Sequence, residues 1–234
     1  MEGTFRLKRF EVLYNDRVFK ITTDSILLGA YADCNEARTI LDLGCGTGII
    51  SLILAQKNPL ARIYGIDISR EAFNLCSKNF SLSPWADRLE ALYGDISAYD
   101  FAGMKFDCII SNPPYFQNSL LSDADTDRTA RHDIKLDYKT LSTSIANLLS
   151  DCGYAYIIIP YDNFDMLNQA FNFEYLFCRE KVLIFSVQGK KPKRVILKFG
   201  KGISKCQEKS IFIRHGKEFS QQYINLTKDF YINF

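Results

Sequence analysis

The chain has no apolar run approaching the roughly 18 residues that cross a membrane, so no span is expected within its 234 residues. Its opening, MEGTFRLKRF, lacks the apolar stretch of a secretory signal. There are only two histidines, His132 and His215, and none of the seven cysteines belongs to a C-x-x-C pair. That pattern gives a zinc site or a disulfide framework little support and suits a reducing cytoplasm. Asp123, Asp125 and Asp127 alternate like a calcium loop, but the glycine and distal glutamate of such a loop are missing. No metal is therefore expected. No G-K-[ST] is present to cradle a nucleoside triphosphate, and there is neither an internal repeat nor a low-complexity segment.

What is present is material for a core. Apolar residues make up 47% and charged residues 24% of the chain, the balance of a globular protein of one large domain. The net charge is only +2, but ten Lys or Arg and a single acid, Glu208, fall between Gln188 and Lys217. That segment carries +9 and leaves −7 for the remainder. Such asymmetry predicts a basic face that meets a polyanion.

Strand-like and helix-like runs alternate from Thr39 onward. TILDL, ARIYGID, RLEALYGD, KFDCIIS and GYAYIIIP read as strands, and KVLIFSV and RVILKF follow as two more. Helices are expected over 49–57, from a Ser69 cap to about Phe80, over 138–150 and near 162–171. The pattern predicts an α/β fold with a mostly parallel, doubly wound, seven-stranded sheet and helices on both faces. The short QGKKPK turn between the last two strands makes them antiparallel, because a parallel crossover needs about a dozen residues. Residues 1–38 read as a lead-in segment packing on the site, and 39–234 as the main domain.

The first strand runs into Asp42-Leu43-Gly44-Cys45-Gly46-Thr47-Gly48 and then a helix. Glycines let a ligand approach the backbone, at the carboxyl end of a strand where such sheets bind ligands. The spacing is G-x-G-x-G, not the dinucleotide G-x-G-x-x-G. Asp67, followed by Ile68, ends the second strand, where a carboxylate suits ribose hydroxyls. Asp95, followed by Ile96, ends the third and suits an adenine amine. Asp42 suits an ammonium group. Together these residues fit a nucleoside without phosphates, and S-adenosyl-L-methionine is such a ligand.

The fourth strand ends in Ile110-Ser111-Asn112-Pro113-Pro114-Tyr115-Phe116. Pro113 lacks an N–H and offers only its carbonyl, and each proline holds the preceding residue extended. Asn112 and Pro113 thus display two acceptor oxygens, with the Tyr115 ring just beyond. Two acceptors match the two hydrogens of a planar NH2 group, and a ring stacks on the flat system carrying it. That chemistry positions an amine for methyl transfer without a strong base.

DLGCGTG, GID, GD and NPPY, in this order, resemble the amino-methylating, Rossmann-like methyltransferases. FRLKRFEV, TTDSILLGAYA, SPWADRLE, RTARHD and YINLTKDFYINF extend the resemblance over nearly the whole chain to the bacterial tRNA1(Val) (adenine(37)-N6)-methyltransferase family. The resemblance implies methyl transfer to N6 of the adenosine just 3′ of a tRNA anticodon, and an antiparallel last strand. It implies Thr23, Asp24, Gly29 and Ala30 near the cofactor, Asp67 on its ribose, Asp95 and Ile96 around its adenine, and Asn112, Pro113 and Tyr115 on the target base. The GKKPKR turn and the lysines after it are the main departure from the family's pattern.

A tRNA partner, with affinity from phosphates, gives the basic residues their role. Candidates are Arg6, Lys8 and Arg9, then Arg128 and Arg131, then Lys190, Lys191, Lys193 and Arg194, with Pro114 and Phe116 beside the base. The segment 117–133 is expected to order over the substrate, and the aromatic ending to dock on the sheet. The protein is expected to act as a monomer. Asn-Pro-Pro-Tyr alone also fits a protein-glutamine N5-methyltransferase or a guanine-N2 methyltransferase, and an RNA-binding module with a relict cofactor site is the non-enzymatic alternative.

Overall fold

A computed structural model describes residues 2–15, 21–113 and 138–233. A hairpin of β1 (Glu2–Arg6) and β2 (Glu11–Asn15) comes first, then helix α1 (Thr23–Tyr31). The main run is β3 (Thr39–Leu43), α2 (Ile49–Lys57), β4 (Arg62–Asp67), α3 (Arg70–Leu82), β5 (Leu89–Tyr93) and β6 (Phe106–Ser111). Helix α4 covers 138–148. It is followed by β7 (Leu149–Pro160), α5 (Phe164–Phe173), β8 (Leu176–Val187), β9 (Arg194–Lys201), β10 (Gln207–His215), β11 (Glu218–Phe219) and α6 (Gln221–Thr227).

The large sheet has the order β11-β10-β8-β9-β7-β6-β3-β4-β5. The strands β3 to β7 are mutually parallel, and β9 lies antiparallel between β7 and β8. The seven expected strands are β3–β9, with the last antiparallel to its neighbours. Among the described residues the sheet nevertheless has nine strands, because β10 adds parallel to β8 and β11 folds back on β10. QEKSIFIRH hides its strand character because it lies near the sheet edge: Ile211 is its only fully buried side chain, so polar or charged residues occupy six of its nine positions. The helix expected over 138–150 also ends two residues early, where Leu149 begins β7 opposite Phe106.

Alternation along the strands builds two cores, since successive side chains point to opposite faces. Ile40, Ile63, Ile110, Ile158 and Ile196 face α1, α2 and α3. Leu41, Ile66, Ile109, Ile157 and Leu197 face α4 and α5. The aromatic ending docks on the first of these cores: Tyr223 and Phe230 are buried there.

The β1–β2 hairpin and α1 are tied to the rest of the fold by polar clasps. The Asn79 amide on α3 donates to the Leu13 carbonyl (2.9 Å) and the Thr47 carbonyl (2.8 Å), while its oxygen accepts from the Leu13 N–H (2.9 Å). One buried side chain thus joins β2, α3 and the glycine loop. Thr22 and Ser25 cap α1 reciprocally. At its other end, the Lys57 ammonium donates to the carbonyls of Gly29, Ala30 and Ala32, satisfying groups a helix C-terminus leaves open. Burial lowers the pKa of that lysine.

Candidate functional site

Strand order reverses at β3, whose neighbours β4 and β6 lead to opposite halves of the sheet. Leu43 lies opposite Ser111, and the Ser111 hydroxyl donates to the Leu43 carbonyl at 3.0 Å. Gly44 and Asn112 therefore start neighbouring loops at one carboxyl edge. Loops at such a switch point leave a crevice between them, where open α/β sheets hold ligands.

The three glycines have different jobs. All take positive φ: +69° at Gly44, +56° at Gly46 and +79° at Gly48. A Cβ on Gly44 or Gly46 would meet nothing within 4 Å, so their backbone faces open space. A Cβ on Gly48 would lie 2.7 Å from the Phe80 ring and 2.9 Å from the Cys76 sulfur. Gly48 lets α2 start against α3; the other two leave room for a ligand.

Three strand-end carboxylates line this edge in different states. Asp42 is fully buried. Its Oδ2 accepts from the Ser51 hydroxyl (2.7 Å) and N–H (3.2 Å), while its Oδ1 is buried with no hydrogen-bond partner among the described residues. Burial raises its pKa to about 7, against the opposing Ser51 bonds. A buried acceptor lacking a donor is costly, and a cationic group at Oδ1 removes that cost. Asp67 accepts from the Gly46 N–H at 2.9 Å through Oδ2 and from the Ser69 N–H at 2.9 Å through Oδ1. Its carboxylate is thus fixed over the glycine loop, with lone pairs left for hydroxyls. Ile68 beside it is 68% exposed, an apolar surface with no cover from the described residues. Asp95 accepts from the Ser97 N–H and hydroxyl, which lower its pKa and keep it ionised at neutral pH. Beyond it, a cavity of about 440 Å³ opens between the β5–β6 connection and α4, lined by Ile96, Ser97, Tyr99 and Thr143 among others. The buried orphan oxygen, the open glycines and the acid-rich donor set fit the amino-acid end, ribose and adenine of S-adenosylmethionine.

The family model for the methyltransferase small domain matches residues 18–132. A tRNA1(Val) (adenine(37)-N6)-methyltransferase of Phocaeicola vulgatus is 39% identical over 230 residues, covering 98% of this chain and 97% of its own. The chain belongs to the tRNA1(Val) (adenine(37)-N6)-methyltransferase family. Among solved structures, a protein of Agrobacterium tumefaciens described as a predicted O-methyltransferase superposes with a TM-score of 0.67 at 19% identity, over 88% of this chain and 96% of its own. A TehB-like S-adenosylmethionine-dependent methyltransferase of Corynebacterium glutamicum gives 0.52 at 20% identity, over 78% and 89%. Those two likenesses concern the Rossmann-like fold.

As a member of this family the chain is an S-adenosylmethionine-dependent methyltransferase. The structure gathers Asp42, Gly44, Gly46, Asp67, Ile68, Asp95, Ile96 and Asn112 at one edge. Pro113 is buried at the start of its loop and Asn112 is half-buried. Pro114, Tyr115, Phe116, Arg128, Arg131 and the whole of 117–133 lie outside the described residues. Thr23 and Asp24 open α1 at this same edge, where the Arg194 Nε donates to the Asp24 carboxylate at 2.8 Å. Arg194 is thus braced against α1, while Lys190, Lys191 and Lys193 stand exposed in the β8–β9 turn.

Three basic residues of the lead-in are engaged elsewhere. Arg6 pairs with Glu11 (3.0 Å), Lys8 donates to the Lys228 carbonyl (2.7 Å), and Arg9 lies over Trp85, just before the amino end of β5. The basic segment is likewise not one face. Lys201 pairs with Asp151 and Lys209 with Glu180 toward the amino edge, and Lys198 lies over Tyr154. Strand β9 carries the chain away from the site edge and β10 brings it back, so a charge run in sequence is divided in space.

Sequence reasoning missed Ser51, which orients Asp42, and Asn79, which clasps the loop. Asn79 left one signal: it falls on the buried stripe of α3 with Ala72, Cys76 and Phe80, where a polar side chain needs internal partners.

Among the described residues no cluster of His, Cys, Asp or Glu is arranged to hold a metal, and no helix is long and apolar enough to cross a membrane.

Proposed function

We propose that the enzyme methylates the exocyclic N6 amine of an adenosine next to the anticodon of a tRNA, position 37 of tRNA1(Val) by its family. The observation that carries this reading is the adjacency of the open glycine loop and Asn112 across the β3–β6 switch point. When bound, S-adenosylmethionine supplies an electrophilic methyl group on a sulfonium.

Asp42 takes the ammonium end through Oδ1, Asp67 the ribose hydroxyls, and Asp95 with Ile96 the adenine. The Asn112 side-chain carbonyl and the Pro113 carbonyl accept the two hydrogens of the target amine. Tyr115 supplies the ring for the base, and Pro114 and Phe116 are further substrate-binding residues. Holding the nitrogen in line removes much of the entropy of a two-body encounter. As the nitrogen bonds to carbon its positive charge grows, and both carbonyl dipoles stabilise that charge more than they stabilise the neutral amine. The methylated nitrogen then gives one proton to water, so no histidine or cysteine is required.

The lysines of the β8–β9 turn supply attraction for phosphates, and Arg194 fixes that turn to the cofactor side through Asp24. A loop base leaves its stack at little cost, which suits a pocket built around a single amine.

The test is Asn112→Ala. Methyl transfer to tRNA should fall by about 10²–10³-fold, the scale for losing one preorganised partner of transition-state charge, while cofactor affinity changes by no more than a few-fold. Nucleoside mass spectrometry of the product tRNA should show N6-methyladenosine. Methylated guanosine instead, or full activity in the variant, would refute this assignment.

A further inference from the structure

The strands β10 and β11 lie beyond the seven that build the methyl-transfer fold, yet they return the chain to the site edge. Arg214 pairs in register with Val187, the last residue of β8. The tip of the β10–β11 hairpin therefore stands beside the β8–β9 turn. Five cations meet there: Lys190, Lys191 and Lys193 from the turn, Arg214 and Lys217 from the hairpin. All five are exposed, and none has an ion-pair partner among the described residues. Glu218 is the acid at the hairpin tip.

The hairpin is held firmly. The Ser220 hydroxyl donates to the Phe212 carbonyl, the Gln222 amide donates to the Ser210 carbonyl (2.8 Å), and the Gln222 oxygen accepts from the Phe212 N–H (3.2 Å). Gln222 thus occupies backbone groups that a sheet edge otherwise leaves open. Arg214 donates to the Lys217 carbonyl at 2.6 Å and lies over Phe219.

The ring chemistry separates two kinds of RNA. Sites for single strands combine cations with aromatic faces on which bases stack. Here Phe219 stacks on Tyr223 at 5.1 Å and has Arg214 above it at 4.3 Å. Phe185 and Phe212 stack on each other. The strip has charge but gives its rings to itself, which suits a backbone whose bases are already paired. Its reach also fits. From β6, which carries Asn112, to β10 is four strand steps. At about 4.8 Å each, that is roughly 19 Å, or about five or six nucleotides of stacked strand.

We propose that the β8–β9 turn and the β10–β11 hairpin form a phosphate-binding strip for the paired stem of a stem–loop RNA whose loop base enters the site. The proposal rests on the tRNA reading above and adds that the enzyme selects a closed stem. Phosphate contacts of this kind set position without reading sequence.

The test uses the full chain, two variants and two RNAs. The variants are Arg214→Ala/Lys217→Ala and Lys190→Ala/Lys191→Ala/Lys193→Ala. The RNAs are an anticodon stem–loop and an oligonucleotide of the same loop that cannot pair. Wild type should bind the stem–loop at least tenfold more tightly. Each variant should lose about tenfold on the stem–loop and markedly less on the unpaired RNA, with a log–log salt slope shallower by about one per phosphate contact removed. Unchanged melting and S-adenosylmethionine affinity should accompany those losses. Unchanged stem–loop affinity would overturn the strip, and equal losses on both RNAs would overturn the stem. Failure of the methylation reading looks different: wild type would form no N6-methyladenosine in either RNA, whereas these binding comparisons would still decide the strip.

Discussion

The two edges of the sheet use similar residues in opposite ways. At the amino edge, the charged groups mostly close on partners within the chain, although the buried Arg179 Nε there has none among the described residues. Asp107 accepts from the Arg38 and Thr39 N–H groups, Lys201 meets Asp151, and Glu180 takes both Lys209 and the Tyr31 hydroxyl. At the carboxyl edge, groups are held in place but left incomplete. Asp42 keeps a buried oxygen without a described partner, Gly44 and Gly46 face open space, and five cations stand free of described acids. Charge closed on itself gives the fold its register; charge fixed by neighbours but unfinished is available to a ligand.

The largest test of this contrast is the glycine loop. Gly48→Ala adds left-handed strain of roughly 1–2 kcal/mol to an overpacking cost of about 1–3 kcal/mol against Phe80 and Cys76. Chemical denaturation should show a loss of about 2–5 kcal/mol. Gly46→Ala should show only the strain, while weakening cofactor binding. Equal stability losses would erase the distinction between a packing glycine and a ligand glycine.

Next in size is Asp42. Its raised pKa means that, without cofactor, its contribution to folding is full in the protonated form below about pH 4 and is lost as pH rises through about 7. The cofactor's ammonium favours the ionised form, so the sign for binding is reversed. Calorimetric affinity for S-adenosylmethionine should weaken by up to tenfold per pH unit below about 7. Asp42→Asn should flatten that profile and cost about 1.5–3 kcal/mol of binding at neutral pH. A sloping profile in the variant would assign the dependence to another group.

The smallest expected effect lies at the amino edge. Lys209→Ala should change unfolding free energy by no more than about 1 kcal/mol, since Lys209 itself is half exposed and the mostly buried Glu180 keeps its bond from the Tyr31 hydroxyl. Stem–loop affinity should stay within twofold for Lys209→Ala and for Lys201→Ala. Losses like those expected in the β8–β9 turn would show that the charge run acts as a whole, and not by edges.

Much of the candidate site's outline, as proposed, comes from local sequence. The glycine loop, the acids at the ends of β4 and β5, and Asn112-Pro113 are local features tied to strand ends, where apolar alternation stops and turn chemistry begins. Strand β10 was harder to see because few of its residues are buried, so burial imposes almost no pattern on them. Ser51 and Asn79 act through partners nine and more than thirty residues away, a distance at which local spacing carries little signal.

The sequence alone determined the doubly wound order of strands and helices and the S-adenosylmethionine-dependent methyltransferase class, and it is the source of the proposal that two acceptors before a ring hold a planar amine. Hydrophobic periodicity and backbone restriction act within a few residues, so these properties survive without coordinates. Only the tertiary structure decided which cations share an edge with the site. Strand direction reverses along β8, β9 and β10, sending Lys201 and Lys209 toward paired acids at the amino edge and returning Arg214 and Lys217 to the site side. It also decided that Arg194 braces Asp24 and that Asp42 has a buried oxygen with no partner among the described residues, because both depend on what long-range packing brings within hydrogen-bond reach.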